Sequence, residues 1–358
     1  MGEALMAGEI RAGERRQRRG EDPERQFQWV VPAGRKASIY EDLTLDTQPS
    51  VHRFLKSGYH CSFADGRGTW DDASTALDVV TWSAFRDPNE LWERPYYQQG
   101  AQCEREIDAA VESARSQGLY ADVDPDWVAF LRRDGQVPAF VEHGIWAIAT
   151  RRSRAALSDA LTHGIVLYAA IKQRQAQALV IEGMDLDDAF GDVTIEAARE
   201  RWLREPAWQD ARRLVERMGT IRDWGELIVV AGLVVEPLLG VLLRRELLLR
   251  GALRAADPVT PAIARNAQRE GAWWQDFAVA FARFAVQDPE HGAANRVLVD
   301  GWLEAWTPET LAAVDALEPI LDGAPGTSFA DARAAVVADQ RELVAAATLD
   351  PARPAVVA

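Results

Sequence analysis

The stretch WGELIVVAGLVVEPLLGVLLRRELLL, residues 224–249, is the most apolar part of the chain. Leu227, Ile228, Ala231, Val234, Val235, Leu238, Leu239 and Leu242 recur at three- and four-residue intervals. That spacing marks a helix, and an apolar face this wide belongs to a helix surrounded by other elements. A bilayer span needs about 20 apolar residues free of charge. Glu236 and Pro237 interrupt the run, so it reads as a central helix buried in protein.

The flanking sequence supplies helices to surround it. Residues 101–117 stop at Gly118, a natural C-cap. Helices are expected over 127–133 and over 138–150, the second opening on Pro138, which a first turn tolerates. Residues 153–181 place Leu157, Leu161, Ile165, Tyr168 and Ile171 near helical spacing. Thr194 is an N-cap for the helix after it. Ala211, Leu214, Val215 and Met218 form one face of residues 208–218. Trp273, Trp274, Phe277, Phe281 and Phe284 of residues 261–286 read as core. Thr307 and Pro308 read as cap and first turn of a helix to about 321, and residues 329–346 form a last helix. No strand alternation and no fixed repeat is present. The fold class is all-α, a bundle of long helices with shorter ones at its periphery.

Composition narrows the function. The 358 residues carry 55 acidic and 40 basic side chains, a net charge of −15. A general nucleic-acid binder would need a basic face. Cys61 and Cys103 are the only cysteines and have neither zinc nor redox spacing, so they read as free thiols in a reducing cytoplasm. The N-terminal arginines precede no apolar stretch, so no signal peptide is expected. Three regions are expected: a polar, flexible or partner-ordered arm over 1–36, a helical domain over 37–346 opening with a loop-rich segment over 37–75, and a tail over 347–358. Asp65-Gly66-Arg67-Gly68 reads as a turn, since it lacks the strand and the Lys-Ser/Thr of a phosphate loop.

A long-helix bundle has one prominent catalytic use. A carboxylate-bridged di-metal site takes one Glu from each of two helices and a Glu-x-x-His from each of two others. Positions i and i+3 share a helix face, which is why the spacing is fixed. The five histidines are His52, His60, His143, His163 and His291; three residues before them stand Pro49, Ser57, Phe140, Ala160 and Asp288. None is Glu, and Asp288 with His291 lies in a turn-like stretch. His143 and His163 read as core histidines or lone ligands. Glu142, Glu226 and Glu236 sit in apolar helices, where a carboxylate needs a partner. Two readings stand for them, metal ligation or ion pairs with Arg222, Arg244 or Arg245, and the ion pairs are favoured. No Gly-x-Ser-x-Gly occurs, and neither cysteine has an activating neighbour. The candidate catalytic, cofactor-binding and metal-ligating sets are therefore empty.

Residues 82–97, WSAFRDPNELWERPYY, are dense in aromatics and charge. Such mixtures occur where one surface is buried against another. Trp82, Phe85, Arg86, Asp87, Trp92 and Tyr96 are the candidate assembly and packing residues.

Several blocks carry a resemblance. They are Tyr40-Glu41-Asp42-Leu43-Thr44 with Gln48-Pro49; Trp82 with Phe85-Arg86-Asp87-Pro88; and Trp92-Glu93-Arg94 with Tyr96. To these add Trp224-Gly225-Glu226-Leu227 through Val235-Glu236-Pro237-Leu238, and Gly301-Trp302-Leu303-Glu304-Ala305-Trp306. Over roughly residues 37–345 the chain resembles the β (small) subunit of the hydroxylase of bacterial soluble di-iron multicomponent monooxygenases, which oxidise methane, propane, alkenes, phenol and toluene. The loop-rich start and the Tyr40–Asp42 block lean toward the propane, alkene or cyclic-ether branch.

The resemblance implies a ferritin-like fold and a non-catalytic, structural role. The di-iron centre is then expected in a large (α) subunit, and NADH, FAD and a [2Fe-2S] cluster in a separate reductase. Implied partners are that large subunit, a second β in an (αβ)2 or (αβγ)2 assembly, a coupling protein and the reductase, in the cytoplasm with no nucleic acid and no membrane insertion. Set against the large-subunit pattern and anchored on Pro237, a ligand Glu falls near Ala231 and the two Glu-x-x-His near 172–175 and 271–274. The alternatives are a self-contained metal oxidase using Glu142, Glu226, Glu236 and His143 or His163, and an unrelated helical scaffold.

Overall fold

The computed structural model of the chain describes residues 31–34, 36–45, 71–325 and 328–347. Most of the arm and of the loop-rich segment, with His52, His60, Cys61 and residues 65–68, lies outside these, as does the tail from 348.

Among the described residues the structure is helical, with no strand. The helices are α1 (Ile39–Thr44), α2 (Glu93–Gln117), α3 (Pro125–Phe130), α4 (Pro138–Arg152), α5 (Asp159–Phe190) and α6 (Ile195–Arg204). They continue as α7 (Pro206–Met218), α8 (Trp224–Arg254), α9 (Thr260–Val286), α10 (Gly292–Asp315), α11 (Glu318–Asp322) and α12 (Phe329–Ala346). The long-helix bundle read from the sequence is the observed class.

The run at 224–249 forms α8. By length and composition it could cross a membrane, yet 94% of its most apolar window is buried inside the protein. α9 packs along it, α10 and α12 cover another side, and α4 pairs with α5, which also meets α9. Two wide π-helical stretches, Ala231–Gly240 and Leu242–Leu249, lie within α8. Pro237 sits inside the first, where it withholds a backbone donor from the ordinary ladder.

Local signals account for most ends. Gly118 closes α2 at φ 70°, and the Thr194 hydroxyl accepts from Ala197 N at 3.2 Å. Other ends differ from expectation. The helix expected over 153–181 is broken: a 3-10 turn fills Ser153–Ala155, Ser158 caps α5, and the helix runs on to Phe190. Thr307 is no cap. α10 starts fifteen residues earlier, at Gly292, and carries Pro308 inside it. Val299, Leu303 and Trp306 are buried along that helix, and this packing holds it through the proline. The loop-rich segment contains α1, which a Ser38/Glu41 capping box starts.

Candidate functional site

Four helices, α4, α5, α8 and α9, each turn polar side chains into the same part of the core. α4 contributes Glu142, α5 contributes Lys172 and Gln175, α8 contributes Glu236 and Arg244, and α9 contributes Glu270, all buried. Lys172 Nζ lies 2.7 Å from Glu142 Oε2 and also pairs with Glu236. Arg244 Nη1 donates to Glu142 Oε1 at 2.9 Å, and its Nη2 donates to Glu236. Each carboxylate thus bridges both cations, and the four charges cancel. Tyr168 Oη donates to Glu236 Oε1 at 2.7 Å. Gln175 Nε2 donates to Glu270 Oε2 at 3.0 Å, and Arg174 pairs with Glu270.

The electrostatics follow from this neutrality. Burial alone would raise the Glu236 carboxyl, but Arg244 and Lys172 outweigh it and hold the group down to about 2. Burial tends to lower Arg244, and the two carboxylates more than reverse that, so it stays charged. Burial first, then the Glu236 charge, pushes the Tyr168 phenol well above its usual range and keeps it a donor. Two glycines make room for the guanidinium. A Cβ at Gly240 would stand 2.7 Å from Arg244 Nη2, and one at Gly271 2.8 Å from the same atom.

This arrangement matches the di-metal pattern in position but not in chemistry. Glu142 and Glu236 are the two single carboxylates; Lys172/Gln175 and Glu270/Trp273 are the two i, i+3 pairs. Where a metal would need an anionic Glu and a His, α5 places a cation and an amide. Trp273 turns its indole N–H to Asp87 at 3.0 Å. Every oxygen of the two carboxylates is already engaged by Lys172, Arg244 or Tyr168. The residues present do not fit a di-iron centre.

The sequence expectations can now be placed. The ion pairs favoured for Glu142 and Glu236 form with Arg244, and with Lys172 of α5 in addition. Arg245 pairs instead with Glu246 and Asp339, and Arg222 is exposed. Glu226 accepts from Trp306 Nε1 at 2.8 Å, away from the cluster. The carboxylate that α8 turns inward is Glu236, not a residue at 231, and the one from α9 is Glu270. His143 is exposed beside Trp146 rather than in the core, and His163 Nδ1 lies 3.9 Å from Glu93 on the rim of α2.

Residues 82–97 back the cluster from outside α9. Phe85 is buried against Phe277, Phe281 and Phe284, with ring centroids 5.1–6.1 Å apart. Trp82 meets Trp224 edge-on at 5.0 Å. Asp87 accepts from Asn89 N, Leu91 N and Trp273 Nε1. Tyr96 hydrogen-bonds Arg174, the partner of Glu270. Trp92 is half-buried at the start of α2, with Arg94 5.9 Å from its ring. Arg86 ties down the chain before α1, donating to Glu41 Oε1 at 2.8 Å, to Val31 O at 3.1 Å, and to the Ser83 and Phe85 carbonyls. Arg86→Ala is expected to release residues 31–45, seen as faster protease cleavage there while α2 to α12 stay protected. An unchanged cleavage pattern would refute that tie.

A second polar cluster was not anticipated. Thr260 Oγ1, at the start of α9, lies 2.6 Å from Glu182 Oε1 of α5 and 2.5 Å from Asp257 Oδ2. Asp257 also accepts from Trp127 Nε1, Val259 N and Thr260 N. The sequence signal was Asp257 before Pro258, a turn former whose carboxylate accepts from the Val259 and Thr260 N–H groups just ahead of α9.

The sequence pattern of the Methane/Phenol/Alkene Hydroxylase family matches residues 60–289. The hydroxylase component small subunit of propane 2-monooxygenase from Rhodococcus jostii is 32% identical over 299 residues, covering 83% of this chain and 81% of that protein. The methane monooxygenase component A beta chain of Methylococcus capsulatus is 27% identical over 301 residues, covering 80% and 76%. A chain in the crystal structure of phenol hydroxylase from Pseudomonas sp. OX1 superposes with a TM-score of 0.77 at 18% identity, covering 94% of this chain and 98% of that one, and shares its fold.

Proposed function

The chain belongs to the methane/phenol/alkene hydroxylase family, and from that premise we propose that it is the structural β subunit of a multicomponent monooxygenase. The assembled enzyme hydroxylates or epoxidises a hydrocarbon with O2 and NADH-derived electrons. The observation that carries the non-catalytic reading is the core cluster: Lys172 and Arg244 take the charge balance that metal ions would otherwise supply to Glu142 and Glu236. The di-iron centre then belongs to the large subunit, and NADH, FAD and the [2Fe-2S] cluster to a separate cytoplasmic reductase, with a coupling protein beside it.

The task of this chain is to offer helix faces to the large subunit and to a second copy of itself in an (αβ)2 or (αβγ)2 assembly. Trp82, Phe85, Arg86, Asp87, Trp92 and Tyr96 serve that task from within, by holding α9 and the chain before α1 in place. The outer face of α5 supports the docking role. Val166, Gln173, Gln177, Ile181 and Met184 are exposed along it, and Ile181 and Met184 are 59% and 67% accessible. Lys172 and Glu182 of the same helix turn inward, so this long face is uncharged in a chain that is 27% charged. Depletion of charge with retained apolar side chains marks the core of an interface. A permanent interface of this kind buries about 2,000 Å² or more.

Co-expression tests the reading. The chain should co-purify one to one with its large subunit and carry no stoichiometric iron alone. Ile181→Glu with Met184→Glu should abolish co-purification while shifting the chain's own stability by no more than about 0.5 kcal/mol. Two tightly bound irons per isolated chain would overturn the proposal in favour of an atypical oxidase.

A further inference from the structure

Lys172 has a coordination sphere rather than a single partner. Its Nζ is 2.7 Å from Glu142 Oε2 on α4 and 3.2 Å from Gln175 Oε1 on α5, and Glu236 Oε1 on α8 closes the third side. The Tyr168 ring lies 5.5 Å from it. The Lys172 side chain is 0% exposed, enclosed along its whole length by protein. Three oxygens from three helices therefore converge on one buried positive centre, and the lysine stem only tethers that centre to α5. The 2.7 Å Glu142 contact suits an ammonium, whose N–H···O contacts to carboxylates run at about 2.7–2.9 Å. It is wide for Mg2+ and similar ions, whose oxygens stand at about 2.0–2.1 Å.

We propose that Glu142, Gln175 and Glu236 form a monovalent-cation site in the bundle core whose resident cation is the Lys172 ammonium, and that a free ammonium-class cation occupies it once the tether is cut. The proposal rests on the reading of this chain as a metal-free subunit and deepens it. Removing the lysine leaves two carboxylates facing one guanidinium, a net charge of −1 in a buried site, and that imbalance is what draws in a cation. Arg244 cannot substitute, because it already bridges the far oxygens of both carboxylates.

The test uses the full chain with Lys172→Ala, which empties the cage, and Lys172→Met, which fills it without charge. Urea unfolding is followed in ammonium, methylammonium, choline or Mn2+ chloride at equal ionic strength. The Ala variant should be stabilised saturably by ammonium or methylammonium, its folding constant rising about tenfold at a cation concentration ten times the Kd. Wild type and the Met variant should not respond. Should the Ala variant not fold in plain buffer, refolding yield from urea is the readout, and methylammonium but not choline should restore it. An equal response to choline, no response to any cation, or a preference for Mn2+ with a bound-manganese spectrum would each overturn the assignment. These measurements need only the isolated chain, so they stand or fall separately from co-purification with a large subunit.

Discussion

Arg244→Met should lower the folding stability by about 3–5 kcal/mol, the largest effect expected of any single substitution in the core. The reason is what stays behind. Glu142 and Glu236 keep their burial and lose the guanidinium that bridges both. Lys172 alone cannot neutralise two carboxylates in a medium of low dielectric. Adding Glu236→Gln to Arg244→Met should recover part of the loss, because it removes the stranded charge rather than replacing a contact. Urea unfolding of wild type, both single variants and the double variant at neutral pH measures this. A double variant as unstable as the sum of the single changes would show that the two side chains act independently. The same pairing fixes an acid limit. The Glu236 carboxyl is held down to about 2, so its contribution is present above the ordinary carboxylate value near 4.5 and is lost as pH falls from there toward 2.

Glu182 should make the protein pH-sensitive in the opposite direction. The Thr260 hydroxyl has one proton and two short oxygen contacts, to Glu182 and to Asp257. One hydroxyl proton serves one contact, and Asp257, which faces three N–H donors, is placed to accept it rather than to supply a second. The other contact then needs a proton on Glu182. Burial first, then the Asp257 charge, raises the Glu182 carboxyl to about 8; Asp185 on the same helix adds to this. Tyr120, across from α5, also faces the cluster, and Arg115 pairs with Asp185. A group whose folded value is raised holds its full contribution below its unfolded value near 4.5. That contribution falls as pH rises from there to about 8 and is constant above. Over that window the loss is on the order of 3–5 kcal/mol. Glu182→Gln keeps a donor toward Thr260 and does not titrate. Wild type should therefore lose stability relative to Glu182→Gln between pH 5 and pH 8, and parallel pH profiles for the two would rule the shared proton out.

The parts of this fold that rest on local chemistry were legible in the sequence. The apolar phase of residues 224–249, the Gly118 stop and the Thr194 cap depend on neighbours within a turn or two. Thr307-Pro308 shows the limit of such signals. The same dipeptide that opens a helix also survives inside one when Val299, Leu303 and Trp306 are buried along it. The missed α1 was a signal overlooked, since Ser38 and Glu41 stand at capping-box spacing. The core cluster was half legible. Buried carboxylates at 142 and 236 demanded cations, and Arg244, 8 residues from Glu236, was legible as one; that Lys172, 30 residues from Glu142, joins it, and that Arg244 also reaches Glu142 across 102 residues, are tertiary facts. Ala231, the position set by anchoring on Pro237, is buried and apolar; the carboxylate that α8 turns into the cluster is Glu236, in the same π-helical stretch.

The two glycines beside Arg244 limit which residues this part of the core accepts. A side chain larger than hydrogen at 271 or 240 collides with the guanidinium. A mutation that restores bulk on that side is therefore tolerated only after Arg244 has gone. Losing Arg244 first, however, strands two buried carboxylates. Gly240, Gly271 and Arg244 are thus mutually dependent positions: the guanidinium requires both glycines, and the two carboxylates require the guanidinium.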